Sequence, residues 1–171
     1  MNKLTLITSS LLLAAGCASQ PTSTVQVPEA LKPAANEKLV RVVPARGDQI
    51  YECREVKAGT YDWAFVAPAA ELYDGNGRKI GIHYAGPSWE AADGSKIVGK
   101  VKQLSKAPAD GAIPWLLLEA KSAGKDGDFS RITSVQRVAT VGGVAPAGGC
   151  PLAGYKIAIP YSADYYFFTA K

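Results

Sequence analysis

Residues 61–84, YDWAFVAPAAELYDGNGRKIGIHY, decide the reading of the fold. Tyr61, Trp63 and Phe65 alternate with Asp62 and Ala64, and Lys79 to Tyr84 alternates in the same way. In an extended chain this places successive side chains on opposite faces. Asp74-Gly75-Asn76-Gly77, between the two runs, accepts the positive φ of a tight β-turn, so the pattern predicts a hairpin. Lys125-Asp126-Gly127-Asp128 predicts a second such turn. Trp115–Leu118 and Tyr165–Phe168 are apolar at every position, as in strands covered on both faces. No 3.6-residue apolar stripe runs beyond residue 38. The expected fold is all-β over residues 39–171, a single-domain β-sandwich or closed β-barrel of roughly ten strands.

The first residues read MNKLTLITSSLLLAAGC, a lysine, an apolar run and small residues before Cys17. The stretch resembles a bacterial lipoprotein signal peptide with its lipobox, with Ala14 where that motif usually has leucine. Leu4 to Leu13 is too short to cross a bilayer as a helix. The resemblance implies cleavage after Gly16 and lipidation of Cys17. It also implies an anchor in the outer membrane, because the following residue is Ala18 and not aspartate. Residues 1–16 are then the signal peptide. Residues 17–38 are an acylated N-terminus and flexible tether, with prolines at 21, 28 and 33 and a short helix possible at Glu29 to Leu31. If extended, about 20 such residues reach about 70 Å.

Cleavage leaves 155 of the 171 residues, enough for one domain with a core, and lowers the formal charge from +4 to +3. Acidic and basic residues alternate, which argues against nucleic acid as a partner. Cys53 and Cys150 are the remaining cysteines. In an exported chain a disulfide is the expected state; a two-cysteine metal site or a redox thiol are the alternatives, and neither cysteine lies in a C-x-x-C pair.

Further motifs lie along the chain: Gln49 to Cys53, Ala67 to Leu72, His83 to Glu90 (HYAGPSWE), Asp93-Gly94-Ser95, Ile113 to Leu118, Gln136 to Gly143, and Pro160 to Phe167. Together they resemble an uncharacterised family of exported bacterial and fungal proteins, domain of unknown function 3455, over about residues 37 to 170. The resemblance implies a shared fold and a paired Cys53 and Cys150. Some fungal members carry a malate dehydrogenase label. Hydride transfer on a nicotinamide needs a Gly-x-Gly-x-x-Gly turn, and here Gly75-Asn76-Gly77 is followed by Ile80 in the third glycine's place. No cofactor is implied.

His83 is the single histidine and opens the most elaborate segment. It shares a strand face with Lys79 and Gly81, which predicts a position outside the apolar core. It could act as a general base or metal ligand with Glu90 and Asp93; the preferred reading is that it hydrogen-bonds and orders the following loop. One histidine and two carboxylates are poor metal spacing, so no metal is expected. Glu90 and Asp93 could also serve glycoside hydrolysis, yet Asp93-Gly94-Ser95 reads better as a turn. Ser88 lacks a nucleophile elbow. Arg137 and Asp164 suggest an internal ion pair, or an anion site at Arg137. Trp89 lies among Gly86, Pro87 and Ser88, which predicts an exposed loop tryptophan able to touch a ligand.

The expected function is a non-catalytic ligand-binding or structural module of the cell envelope, with His83, Trp89, Glu90 and Arg137 as candidate ligand contacts. The partners expected are an envelope glycan, a small ligand or a protein. The alternative is a hydrolase of envelope glycans using His83, Glu90 or Asp93.

Overall fold

The computed structural model describes residues 25–171. The expected signal peptide and Cys17 lie outside the described residues. Eight antiparallel strands, each bonded to the next and the last to the first, close a barrel. They are β1 (Glu37–Lys57), β2 (Thr60–Tyr73), β3 (Lys79–Tyr84), β4 (Ser88–Ala91), β5 (Lys96–Ser105), β6 (Trp115–Ser122), β7 (Ser134–Gly142) and β8 (Lys156–Ala170). The expected ten strands become eight because β1, β2 and β8 are long, at 21, 14 and 15 residues. A barrel rather than a sandwich follows from the β1–β8 pairing, which runs from Glu37↔Ala170 to Glu52↔Lys156 and leaves neither strand as a free edge.

The two ends of the barrel differ. At one end lie the β2–β3 turn, the β4–β5 turn and the β6–β7 connection. The first is the predicted Asp74–Gly77 turn, where the Asp74 carboxylate accepts the Asn76 and Arg78 N–H groups. The last is not the tight turn expected at Lys125–Asp128 but an eleven-residue connection, 123–133. It folds inward and buries Phe129 and Ile132 in the barrel core. Asp93 fastens it, its carboxylate accepting the Ser95 N–H, the Ser95 hydroxyl and the Asp128 N–H. The Ser95 hydroxyl oxygen in turn accepts the Phe129 N–H. This end is closed.

Above Phe129 an aromatic column rises along the barrel axis. Phe129 meets Phe167 edge to face at 5.0 Å, Phe167 meets Trp89 at 6.4 Å, and Trp89 stacks on His83 at 4.5 Å. Tyr165 packs its ring against both His83 and Trp89. Pairs of this kind add about 0.5–1.5 kcal/mol each beyond area burial. Gly99 makes room for the column, since a Cβ there would lie 2.7 Å from the Trp89 ring. The opposite end is framed by the β1–β2, β3–β4, β5–β6 and β7–β8 connections and forms a mouth. The Cys53–Cys150 disulfide ties the β7–β8 connection to β1 there.

The second half of the expected flexible tether is docked on the wall. A 3-10 helix, Glu29–Leu31, places a fully buried Leu31 against Ala107, Trp115, Leu117 and Val138, with Val25 and Val27 joining the cluster. The Gln136 side-chain amide donates to the Leu31 carbonyl. The apolar outer face of β6 explains the docking: full burial of a leucine is worth about 1.5–3 kcal/mol, and Trp115 and Leu117 need a cover. This accounts for the doubly apolar run at Trp115–Leu118, whose Leu118 belongs to the interior core. The chain then runs to the closed end, where the Glu37 carboxylate accepts the Thr133 and Ser134 hydroxyls.

Candidate functional site

The mouth opens into a cavity of about 510 Å³ that descends to His83, within the ~300–1,000 Å³ range of small-ligand sites. Its wall is mostly apolar: Phe65, Val66 and Pro68 from β2, Val101 from β5, Leu116 from β6, and Ala85, Pro87, Ile113 and Pro114 from connections at the mouth. Four polar side chains interrupt it, Gln49, Tyr51, His83 and Arg137. All four project inward because they share the strand parity of the core residues Ala45, Trp89 and Val135. Tyr161 and Tyr165 lie behind them, their hydroxyls 3.3 Å apart.

His83 is 2% exposed, which corrects its expected place outside the core. Its parity with Lys79 and Gly81 holds, but Lys79 sits at a register irregularity at the start of β3 and reaches Glu71 instead. Gly81 faces inward beside Ala91. His83 Nδ1 lies 2.8 Å from the Ser88 carbonyl oxygen. A carbonyl can only accept, which assigns the ring proton to Nδ1. Burial pulls the imidazole pKa down to about 3, the Ser88 bond opposes the shift, and the nearby Arg137 charge adds to it. His83 is therefore neutral at physiological pH. The expected hydrogen bond to the following segment is present.

Trp89 corrects the expectation of an exposed loop residue: it lies on β4, paired with His83 and Ile97, and is 1% exposed. Gly86 and Pro87, which suggested a loop, form only the short turn before β4. Trp89 supports His83 from below and does not line the cavity. Glu90 alternates to the outer face, where it accepts the Tyr84 hydroxyl at 2.7 Å. Asp93 belongs to the closed end, its pKa held down to about 2 by the Ser95 hydroxyl and by the Asp128 and Ser95 N–H groups. The three residues of the hydrolase reading are thus not brought together. No carboxylate lines the cavity among the described residues, and no cluster of three or more metal-ligating side chains occurs among them.

Arg137 does face the cavity, as an anion site requires. Its Nε and Nη2 donate to the Pro114 carbonyl oxygen at 3.1 and 2.8 Å. The expected ion pair with Asp164 is absent, because Arg137 pairs across the ladder with Tyr165, and Asp164 alternates to the outer face. Burial raises the Asp164 pKa. Gln49 was not foreseen. It is 2% exposed, and its Nε2 has no hydrogen-bond partner among the described residues. Its amide lies beside the Tyr161 hydroxyl without bonding geometry. The unbroken alternation of β1 from Ala45 to Gln49 was the available signal, since it places Gln49 on the inward face with Ala45.

Fold and cavity together define an up-and-down antiparallel barrel, plugged at one end by Phe129 and open at the other into a mainly apolar pocket with a polar floor. The chain belongs to the family described as Protein of unknown function (DUF3455), whose model matches residues 33–169. No curated protein and no solved structure matches it.

Proposed function

We propose that this protein is a lipid-anchored envelope protein whose barrel holds a small, largely apolar molecule in its mouth without transforming it. The cavity carries the reading: apolar surface stays open to solvent at the mouth of an otherwise filled core, where Phe65 and Val101 remain 52% and 46% exposed. Transfer of an apolar ligand onto such a wall gains about 25 cal/mol per Å² buried. The same pocket lacks the convergent acids that hydrolysis of a glycan needs. The anchor rests on the Cys17 lipobox.

The neutral fluorophore N-phenyl-1-naphthylamine tests the cavity. It will bind saturably at one site per chain. Val101→Trp, which fills the mouth, will weaken binding about tenfold, or ~1.4 kcal/mol, with the circular dichroism unchanged. Absence of saturation, or equal binding by the variant, refutes the carrier reading. For the anchor, palmitate labelling in the producing bacterium will be lost in Cys17→Ser, and the chain will leave the membrane fraction. Labelling that survives the substitution would sink the Cys17 assignment.

A further inference from the structure

The geometry points to an organic carboxylate with an apolar body as the ligand, seated head-inward with its carboxylate on Arg137 and Gln49 and its body against the apolar mouth. This inference rests on the carrier reading above and names the class of ligand. Two independent observations support it.

The first is the charge of Arg137. It is the only ionised side chain in the cavity wall, and no carboxylate of the described residues lies within ion-pair distance of it. The Pro114 carbonyl accepts from Nε and Nη2, and the Tyr165 hydroxyl lies against the same guanidinium, so its protein partners are neutral oxygens. Arg137 is half-buried at this wall, and its charge is matched by solvent rather than by a protein carboxylate, so an anionic ligand can take the place of water there. The guanidinium fork matches a carboxylate in geometry as well as in charge.

The second is the Gln49 amide: its Nε2, buried behind the same wall beside the Tyr161 hydroxyl, makes no hydrogen bond among the described residues. Leaving a buried N–H group unpaired is costly. Gln49 and Tyr161 both adjoin Gly143, the Tyr161 hydroxyl meets that of Tyr165, and Tyr165 pairs across the ladder with Arg137, so the two sets of donors approach one region of the floor. A carboxylate is an acceptor without donors and suits both. An ammonium head would meet only repulsion from Arg137, and an alcohol would satisfy the floor without neutralising it. The body of the ligand then lies toward Phe65, Val66 and Val101, the side open to solvent.

Calorimetric titration of the full mature chain carrying Cys17→Ser, below the micellar range, tests the assignment with three amphiphiles of equal chain length. Laurate will bind about 10- to 100-fold more tightly than dodecanol, the range of a charge-assisted hydrogen-bonded pair. Dodecyltrimethylammonium will bind weakest. Arg137→Met will abolish the preference for laurate while retaining dodecanol, and Arg137→Lys will restore part of it. Equal binding of laurate and dodecanol by the unaltered cavity overturns the carboxylate assignment, needs no variant to fold, and leaves the carrier reading standing. If none of the three binds, the carrier reading falls with it.

Discussion

Replacing Cys53 and Cys150 together by alanine will cost about 4–5 kcal/mol of stability, the value of closing a loop of this length in the unfolded chain. The bridged residues are 97 apart in sequence, so the reduced denatured state regains a large ensemble. The native state loses little, because the same place is also held by backbone bonds. The Cys53 N–H donates to the Tyr155 carbonyl, the Gly154 N–H donates to the Cys53 carbonyl, and the Cys150 N–H donates to the Tyr61 carbonyl. The variant will keep its circular dichroism and its cavity while melting about 10–15 °C lower. Urea unfolding of the wild type with and without reductant gives the same comparison without mutation. A loss under 1 kcal/mol would mean that the denatured state is already constrained near these residues.

Between neutral pH and pH 5 the buried His83 will cost the protein roughly 2 kcal/mol of stability, a loss that Asp164, whose pKa burial raises, opposes. The native imidazole stays neutral down to about pH 3, whereas in the unfolded chain it takes up a proton below about 6.5. The unfolded state therefore binds more protons across this window, and stability falls as the pH falls through it. The other depressed groups, Asp93, Asp74, Glu71 and Glu52, are carboxylates; each loses its contribution only below the ordinary carboxylate range, which separates them from the histidine. His83→Asn keeps a donor near the Ser88 carbonyl, loses the stack on Trp89 and removes the titrating group. It will be less stable at pH 7.5 and will show no fall in stability down to pH 5. An unchanged slope in that variant would refute the buried neutral histidine.

The alternation around Tyr61–Tyr84 was enough to identify the strands, because period-two patterning is local. What it could not reveal was which face closed on itself. His83 and Lys79 share a parity that reads as solvent-facing until the barrel closes and Trp89 arrives beneath the imidazole. Trp89 itself looked like a loop residue because β4 is only four residues long and lies between two tight turns. Arg137 could be named from sequence, but its isolation could not, since that depends on Asp164 falling on the opposite face of β8. The cavity is a property of several strands at once, assembled from residues as distant as Gln49 and Arg137, and no single stretch encodes it. Phe129 shows the same limit: a glycine- and aspartate-rich segment reads as a turn, while the aromatic beside it is a stopper.

The docked segment at Val25–Leu31 changes how the molecule would stand on a membrane. A leash of about 20 free residues would let the barrel tumble at will; pinned at Val25, only seven residues lie between it and Cys17, a span of at most about 28 Å. The pinned segment lies with Ala107, Ala112 and Trp115, at the mouth end of the wall. With a lipid at Cys17, so short a tether would keep the mouth end of the wall within that distance of the bilayer surface, where a free leash would leave every face of the barrel equally remote.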